Sequence, residues 1–423
     1  MLADRLDQML TRARRNGRIC GVLYVDLDRF KSINDTLGHA QGDLLLVQAA
    51  ARLEEAVRET DTVARVGGDE FVVLCEDLDS VHHATDVAQR IIASLRAPFQ
   101  LDDDTVNVSA SIGIALCADG SARVDTLVAN ADIAMYRAKG HGRDCYELFD
   151  EAMQEWVTTQ LALEIGLRQA VVRDELRLVY QPIIDARDAT VRGFEALVRW
   201  ERPGFGLVPP DEFIAIAEET GLIIDIGAWV LDQACRQAAQ WSERWPDRRL
   251  EISVNVSSRQ LATTDIIDTV RDAIARTGLD PTQLTLELTE STLIEDTINT
   301  QAILNELRSL GVNLSLDDFG TGYSSLTYLR AFPINIVKID KSFVRTLGTE
   351  REDTAIVAAV IALANNLDIK VVAEGVETHE QLAVLLQLRC HYLQGYLFSA
   401  ARPAPDVAEM IETPPLRLDK MVT

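Results

Sequence analysis

The chain of 423 residues has no CxxC pair, and its six cysteines (Cys20, Cys75, Cys117, Cys145, Cys235, Cys390) are scattered through apolar segments. That scatter excludes a disulfide framework and predicts a reduced, cytoplasmic protein. Long hydrophobic runs are also missing. The longest, Ala355 to Ala364, falls short of the roughly 20 residues a membrane span requires, and the N-terminus lacks the apolar region of a signal peptide. Positive charge is scarce: 41 Lys and Arg face 66 Asp and Glu, a net charge of −25. Such a field repels polyanions, which argues against a general binder of DNA, RNA or acidic membranes. An anionic substrate then needs local help from metal ions or a few placed cations, and surplus carboxylates suit a protein that holds divalent ions. Sequence repeats and low-complexity tracts are absent as well.

What is present divides into two rhythms near residues 150 to 170. Before that point, strand-like runs at Gly21–Leu27, Thr62–Val66, Phe71–Cys75 and Val106–Leu116 are separated by two helix-like stretches. Val106 to Leu116 alternates with period two, whereas Leu46, Ala50, Leu53 and Val57 recur at helical spacing. With the apolar helix Val124–Ala138, this order predicts an α+β sandwich over residues 1–150. A helix rich in Glu, Gln and Leu around Met153–Val172 predicts a helical linker, 151–172. From 173 to 415 a short apolar strand alternates with a longer helix. The strands read as Leu176–Ile184, Phe194–Trp200, Glu251–Val256, Leu284–Thr289, Asn313–Asp317, Ile336–Ile339, Lys370–Ala373 and Tyr392–Phe398. Eight strands over this length predict a TIM-like β/α barrel.

Nearly every strand of the second half ends on a polar residue: Glu195, Asn255, Glu287, Asp317 with Asp318, Lys338, Glu374 and Gln394. A barrel collects these positions at one mouth, where hard oxygen donors suit Mg²⁺ or Mn²⁺. The adjacent Asp317 and Asp318 fit a two-metal site, one carboxylate bridging both ions, which is the arrangement that cleaves a phosphodiester. Any single acid here also fits a helix N-cap, but caps do not explain Lys338, Asn255 and Gln394.

These residues stand in YQPI (Tyr180–Ile183), EALVRW (Glu195–Trp200), NVSSRQ (Asn255–Gln260), ELTE (Glu287–Glu290), DDFGTGYSSL (Asp317–Leu326), KID (Lys338–Asp340), AEGVE (Ala373–Glu377) and QGYLFS (Gln394–Ser399). Over about residues 155–410 the chain resembles the EAL-domain family, phosphodiesterases that linearise cyclic di-GMP. The resemblance implies one metal on Glu195, Asn255, Glu287 and Asp317 and a second on Asp317, Asp318 and Glu374. Lys338 would contact and help deprotonate the attacking water, a role needing a lysine of lowered pKa or a metal-bound water already acidic. Gln394 would support the water network. Gln181 and Arg199 would grip the ligand, Arg199 through a phosphate. Glu290 would tether the loop Asp318–Ser325, with Gly320 and Gly322 giving a tight, movable backbone. Ala401 stands where the family often has Pro.

In the first half, the hairpin tip Gly67-Gly68-Asp69-Glu70 reads on its own simply as a turn. Asp26-Leu27-Asp28 at the end of an apolar strand strengthens it, because Asp26 and Asp69 can share a divalent cation in a nucleoside triphosphate site. Lys139 and Arg143, four apart, fit triphosphate oxygens as well as an ordinary solvated helix face. The runs DLDRFKSINDTLGHAQGD (Asp26–Asp43), RVGGDEF (Arg65–Phe71) and YRAKGHGRD (Tyr136–Asp144) resemble the GGDEF family over about residues 2–148. That family comprises diguanylate cyclases, which condense two GTP molecules into cyclic di-GMP. The resemblance implies Mg²⁺ with GTP, metal on Asp26, the Leu27 carbonyl and Asp69, and catalytic assistance from Glu70. It also implies guanine reading by Asn34 and Asp43 and phosphate contacts from Lys31, Lys139 and Arg143. Arg58 and Asp61 lie at the offset of the family's RxxD product-inhibition site, and equally fit a helix end followed by a turn.

Together the resemblances imply cyclic di-GMP turnover: hydrolysis to pGpG in the barrel, with a first domain that makes cyclic di-GMP or regulates the barrel. The alternatives are a mainly synthetic cyclase and a non-catalytic receptor of cyclic di-GMP or GTP. A receptor is expected to lose metal ligands, and none is missing here. A homodimer is expected. The chain starts inside the helix that follows the family's DxLTGLxNR-like segment, so either Met1 is an artificial or internal start, with a dimerising or sensory module upstream, or the domain lacks part of its entrance.

Overall fold

The computed structural model describes residues 2–412 except 103, 118–120, 264, 294–296, 321–328, 330 and 349–350. It separates into two compact units, Met1–Ala162 and Leu163–Thr423.

In the first unit the elements follow as α1 (Leu2–Asn16), β1 (Ile19–Leu27), α2 (Phe30–Leu37), α3 (His39–Ala56), β2 (Thr62–Gly67), β3 (Glu70–Leu78) and α4 (Val81–Arg96), then β4 (Phe99–Leu101), β5 (Asp104–Val106), β6 (Ala110–Cys117), α5 (Val124–Gly140) and β7 (Tyr146–Leu148). The sheet order is β2-β3-β1-β6-β7, with β1 antiparallel to both neighbours. Alternation along β1 divides the core. Leu23, Val25 and Leu27 pack with Leu45, Ala49 and Leu53 of α3 and Val87 and Ile91 of α4. Val22 packs on the other face with Leu6, Met9 and Leu10 of α1 and Leu127 and Ala131 of α5. Period two in a strand thus buries both faces under helices, as an α+β sandwich requires. α5 lies directly on the sheet, since a Cβ on Gly113 would stand 1.9 Å from the Ala131 carbonyl oxygen. Only glycine permits that approach.

The expected strand Val106–Leu116 is corrected: Val106 closes the small β4–β5 hairpin, and β6 begins at Ala110. Alternation of apolar residues continued across the gap and masked it. At the gap Ser109 is turned toward Asp28, whose N–H donates to the Ser109 carbonyl at 2.9 Å.

The expected joining helix is α6 (Glu151–Ala170). Beyond it lie β8 (Leu176–Asp185), β9 (Val191–Arg202), β10 (Gly206–Val208), β11 (Glu251–Asn255), β12 (Leu284–Thr289), β13 (Asn313–Phe319), β14 (Ile336–Ile339), β15 (Lys370–Ala373), β16 (Tyr392–Leu393) and β17 (Arg402–Pro403). Strands β9, β11 to β16 and β8 follow one another around the sheet, and the β8–β9 pairing closes it into a barrel. β8 runs antiparallel to both β9 and β16, while the other neighbours are parallel. The reason is local. Asp185 and Ala189 close a tight turn, Ala189 N–H donating to the Asp185 carbonyl at 2.9 Å, and so short a link joins strands only as a hairpin. The expected strand Tyr392–Phe398 stops at Leu393.

Along the parallel strands, Ile252, Val254, Leu284, Leu286, Leu314, Leu316, Val337 and Ile339 join one hydrophobic core. The alternate positions are Ser253, Asn255, Thr285, Glu287, Ser315, Asp317 and Lys338. From β11 to β14 one face of the strands is therefore apolar toward the helices, and the opposite face lines the barrel largely with polar groups.

Candidate active sites

Lys338 organises the barrel mouth. Its side chain is 1 % exposed, and Nζ lies 2.6 Å from Glu374 Oε1, 2.7 Å from Glu287 Oε2, 3.3 Å from Glu195 Oε2 and 3.4 Å from Asp317 Oδ2. Around this centre, Asn255 Nδ2 donates to Glu195 Oε1 at 2.8 Å, and Gln394 Nε2 donates to Glu195 Oε2 at 2.7 Å and to Gln181 Oε1 at 3.1 Å. Strand pairing explains the convergence: Glu195 lies across from Gln181, Glu287 across from Asn255, and Thr289 across from Asp317. Asp318 adopts a left-handed φ of 54°, which an aspartate tolerates better than most side chains and which turns it beside Asp317.

The electrostatics correct one alternative for Lys338. Burial alone would pull its pKa down, but Glu195, Glu287, Glu374 and Asp317 together push it well above the ordinary value. In the metal-free protein this favours the ammonium form. The reason is the surplus of acids, four around one cation. Burial opposes ionisation of Glu195, yet Lys338 and the donors Gln394 and Asn255 hold its pKa below the usual range. Burial and neighbouring acids raise Glu287 well above the carboxylate range, and Glu374 is pushed up to about 8. Asp318 is also raised, by burial first and then by Asp317.

Carboxylate oxygens of Asp317, Asp318 and Glu374 all lie within 4.8 Å of one another, a donor set that fits a hard divalent cation. Gln394 Oε1 is buried without a hydrogen-bond partner among the described residues, which leaves an acceptor for water at the same place. Because ligating carboxylates must lose their protons, metal affinity is linked to pH. With Glu374 protonated below about 8 in the metal-free protein, Mn²⁺ affinity is expected to rise about tenfold per pH unit between 6 and 8 for each proton released. Titration of the full chain with Mn²⁺ at these pH values checks the slope; a flat profile contradicts it.

Gly395 sets Gln394. A Cβ on it would stand 2.2 Å from the Val376 carbonyl oxygen, while Val376 N–H donates to the Gln394 carbonyl at 3.0 Å. Gly395→Ala is expected to push Gln394 away from Glu195 and, if Glu195 holds a metal, to lower any metal-dependent turnover roughly tenfold to a hundredfold, the usual effect of losing a residue that orients a metal ligand. Steady-state kinetics in Mn²⁺ reads it, and unchanged turnover contradicts it.

Arg199 lies four residues beyond Glu195 on β9 and donates to the Val198 carbonyl at 2.8 Å, outside the cluster. Gln181 also donates to the Ser399 carbonyl, at 3.4 Å. Glu290 is buried at the start of a 3₁₀ turn. Gly320 has a φ of 104°, but Gly322, Ser325 and the rest of 321–328 lie outside the described residues, so the tether assigned to Glu290 lies outside them too.

In the first unit, Asp26 and Glu70 are register partners, and Leu27 N–H donates to the Asp69 carbonyl at 3.3 Å. The acids on the β1 end and the β2–β3 hairpin tip therefore do meet. Lys139 Nζ lies 2.7 Å from Asp26 Oδ2. Burial first, with Asp69 and Asp28 adding, raises Asp26 to about 6 against the opposing pull of Lys139. Glu70 accepts from Tyr24 Oη at 3.0 Å. Asn34 lies beside Gly42, where a Cβ would collide with Asn34 Oδ1 at 1.8 Å; Lys31 and Asp43 are exposed. Arg58 and Asp61 form a turn, Arg58 N–H donating to Asp61 Oδ2 at 3.0 Å and Asp61 N–H to the Arg58 carbonyl at 2.9 Å.

Sequence reasoning left Asp28, Tyr24, Gly395 and the polar barrel lining of Ser253, Thr285 and Ser315 without roles. The lining was readable as a polar residue at every second strand position.

The EAL domain family profile matches residues 166–401, more than half of the chain, and the profile described as diguanylate cyclase, GGDEF domain, matches residues 1–145. The chain belongs to the tandem GGDEF–EAL proteins. A curated relative of Pseudomonas aeruginosa, the bifunctional diguanylate cyclase/cyclic di-GMP phosphodiesterase MucR, is 45 % identical over 96 % of this chain and 59 % of its own length. The cyclic di-GMP phosphodiesterase NbdA of the same organism is 41 % identical over 97 % of this chain and 53 % of its own length. This GGDEF–EAL chain thus spans little more than half the length of these relatives. Among solved structures, the PaMucR phosphodiesterase in complex with cyclic di-GMP is 46 % identical, with a TM-score of 0.56 over 58 % of this chain and 99 % of that one. Among the described residues, no helix of this GGDEF–EAL chain is long and apolar enough to cross a membrane.

Proposed function

We propose that the EAL domain hydrolyses cyclic di-GMP to linear pGpG, and that the GGDEF domain binds GTP with Mg²⁺ and either makes cyclic di-GMP or regulates the barrel. The observation that carries the reading is the convergence of Glu195, Glu287, Asp317 and Glu374 on Lys338, with Asn255 and Gln394 bracing Glu195. Glu195, Asn255, Glu287 and Asp317 would hold one Mg²⁺ or Mn²⁺, and Asp317, Asp318 and Glu374 the other. When bound, such ions supply an acidic water and offset charge on the leaving oxygen. Lys338, whose pKa the four acids raise, donates to and orients the attacking water or a phosphate oxygen. Arg199 binds a non-bridging phosphate oxygen through its fork of donors, and Gln181 holds the ligand from β8.

In the GGDEF domain, Asp26, the Leu27 carbonyl and Asp69 would hold the ion, Glu70 assists, and Lys31, Lys139 and Arg143 face phosphates while Asn34 and Asp43 read guanine. Arg58 and Asp61 are the candidate product-inhibition site. Both domains are expected to work within a homodimer. Chelator-treated protein is incubated with cyclic di-GMP or with GTP, with and without Mg²⁺ or Mn²⁺, and the nucleotides are separated chromatographically. Metal-dependent loss of cyclic di-GMP supports the barrel assignment, and cyclic di-GMP formed from GTP establishes synthesis. Turnover of neither substrate favours the receptor reading.

A further inference from the structure

Asp28, the second acid of the DLD run, is outside the metal set yet is 5 % exposed, and three donors from two other segments converge on its carboxylate. Ser111 Oγ donates to Oδ1 at 2.7 Å, and Ser109 Oγ and Asp144 N–H donate to Oδ2 at 2.6 and 3.1 Å. The last of these bonds reaches the turn that follows α5. There Arg143 and Asp144 both adopt left-handed backbone, φ 65° and 52°, a conformation unfavourable for side-chain-bearing residues that persists only when the surroundings enforce it. On its other side the turn is held by Arg96, whose Nε donates to Asp144 Oδ1 and Oδ2 at 2.9 and 2.7 Å. The segment so pinned carries Lys139, ion-paired to Asp26, and Arg143.

We propose that Asp28, backed by Arg96, is a positioning residue that clamps the Lys139–Arg143 turn against the metal-bearing end of β1, so that phosphate-binding cations and metal-binding acids are assembled before the nucleotide arrives. The inference deepens the reading of the GGDEF domain as a GTP site and rests on it. Asp28 acts by enforcing a backbone conformation through Ser109, Ser111 and Asp144. Its chemistry requires acceptors more than charge. An asparagine can accept Asp144 N–H and Ser109 Oγ through its oxygen while donating to Ser111 Oγ, whose hydroxyl can reverse its role.

The test uses the full chain with Mg²⁺ and a non-hydrolysable GTP analogue, measured by calorimetric titration. Asp28→Ala is expected to weaken binding about tenfold or more, and Asp28→Asn to stay within about threefold of the unchanged chain. Arg96→Ala removes a largely exposed side chain, so it is expected to fold normally and still weaken binding about threefold. If Asp28→Ala does not fold, the Arg96→Ala result decides. Binding by both alanine variants equal to that of the unchanged chain overturns the clamp while leaving the GTP reading in place. An unchanged chain that binds no analogue overturns that reading and the clamp with it.

Discussion

Glu195→Ala is expected to abolish measurable hydrolysis of cyclic di-GMP while the barrel stays folded. Glu195 accepts from Asn255 of β11, Lys338 of β14 and Gln394 just after β16, so it joins polar groups from three parts of the barrel around one carboxylate. Against the opposing effect of burial, its pKa is also held below the usual range by Lys338, Gln394 and Asn255. Losing a metal ligand removes several kcal/mol of transition-state charge stabilisation, about 10³-fold or more in kcat. The fold survives because Lys338 keeps Glu287, Glu374 and Asp317, and the space opened at the mouth can admit water for Asn255 and Gln394. Turnover within tenfold of the unchanged protein would mean that the metal site is misassigned.

Lys338→Met is expected to combine loss of activity with pH-dependent loss of stability. Methionine approximates the shape of the lysine but leaves four carboxylates facing one another without a cation. Removing one partner from a fully buried ionic cluster costs about 3–5 kcal/mol. The sign of the pH dependence follows from the shifts. Lys338 is raised, so in the unchanged protein its contribution is fully present below its unfolded pKa near 10.5 and is lost only above that. In the variant the lowering pull of Lys338 on Glu195, Glu287 and Glu374 is gone, so their pKa values rise, and a carboxyl raised in the folded state is stabilising while protonated. The variant therefore loses stability as pH rises from about 4.5, the unfolded value. Thermal melts in chelator at pH 5 and 8 should show a deficit that widens at pH 8 and shrinks when Mn²⁺ is added. An unchanged melting temperature at pH 8 without metal contradicts the ionic role of Lys338.

The barrel site was largely legible in the sequence because strand ends in a β/α barrel share one mouth. Glu195, Asn255, Glu287, Asp317, Lys338, Glu374 and Gln394 could be grouped without distances. The raised pKa of Lys338 was not legible, since it depends on four acids, from β9, β12, β13 and the residue after β15, standing within hydrogen-bonding reach of one nitrogen. The direction of β8 escaped too, because an apolar strand reads alike in either direction and only the Asp185–Ala189 turn decides. In the first domain the meeting of Asp26 with the hairpin tip that carries Asp69 was anticipated, whereas its register pairing with Glu70 and the bonding of Asp28 were not. Its partners Ser109 and Asp144 lie far along the chain, and one of them falls where regular alternation concealed a break.

The most direct measurement of the central claim is product analysis of cyclic di-GMP incubated with the folded, Mn²⁺-loaded chain. The account predicts one cleaved phosphodiester per ligand, giving linear pGpG in the unchanged protein and none in Glu195→Ala. Intact cyclic di-GMP after incubation with metal-loaded, folded protein, or equal pGpG from the variant, would contradict it.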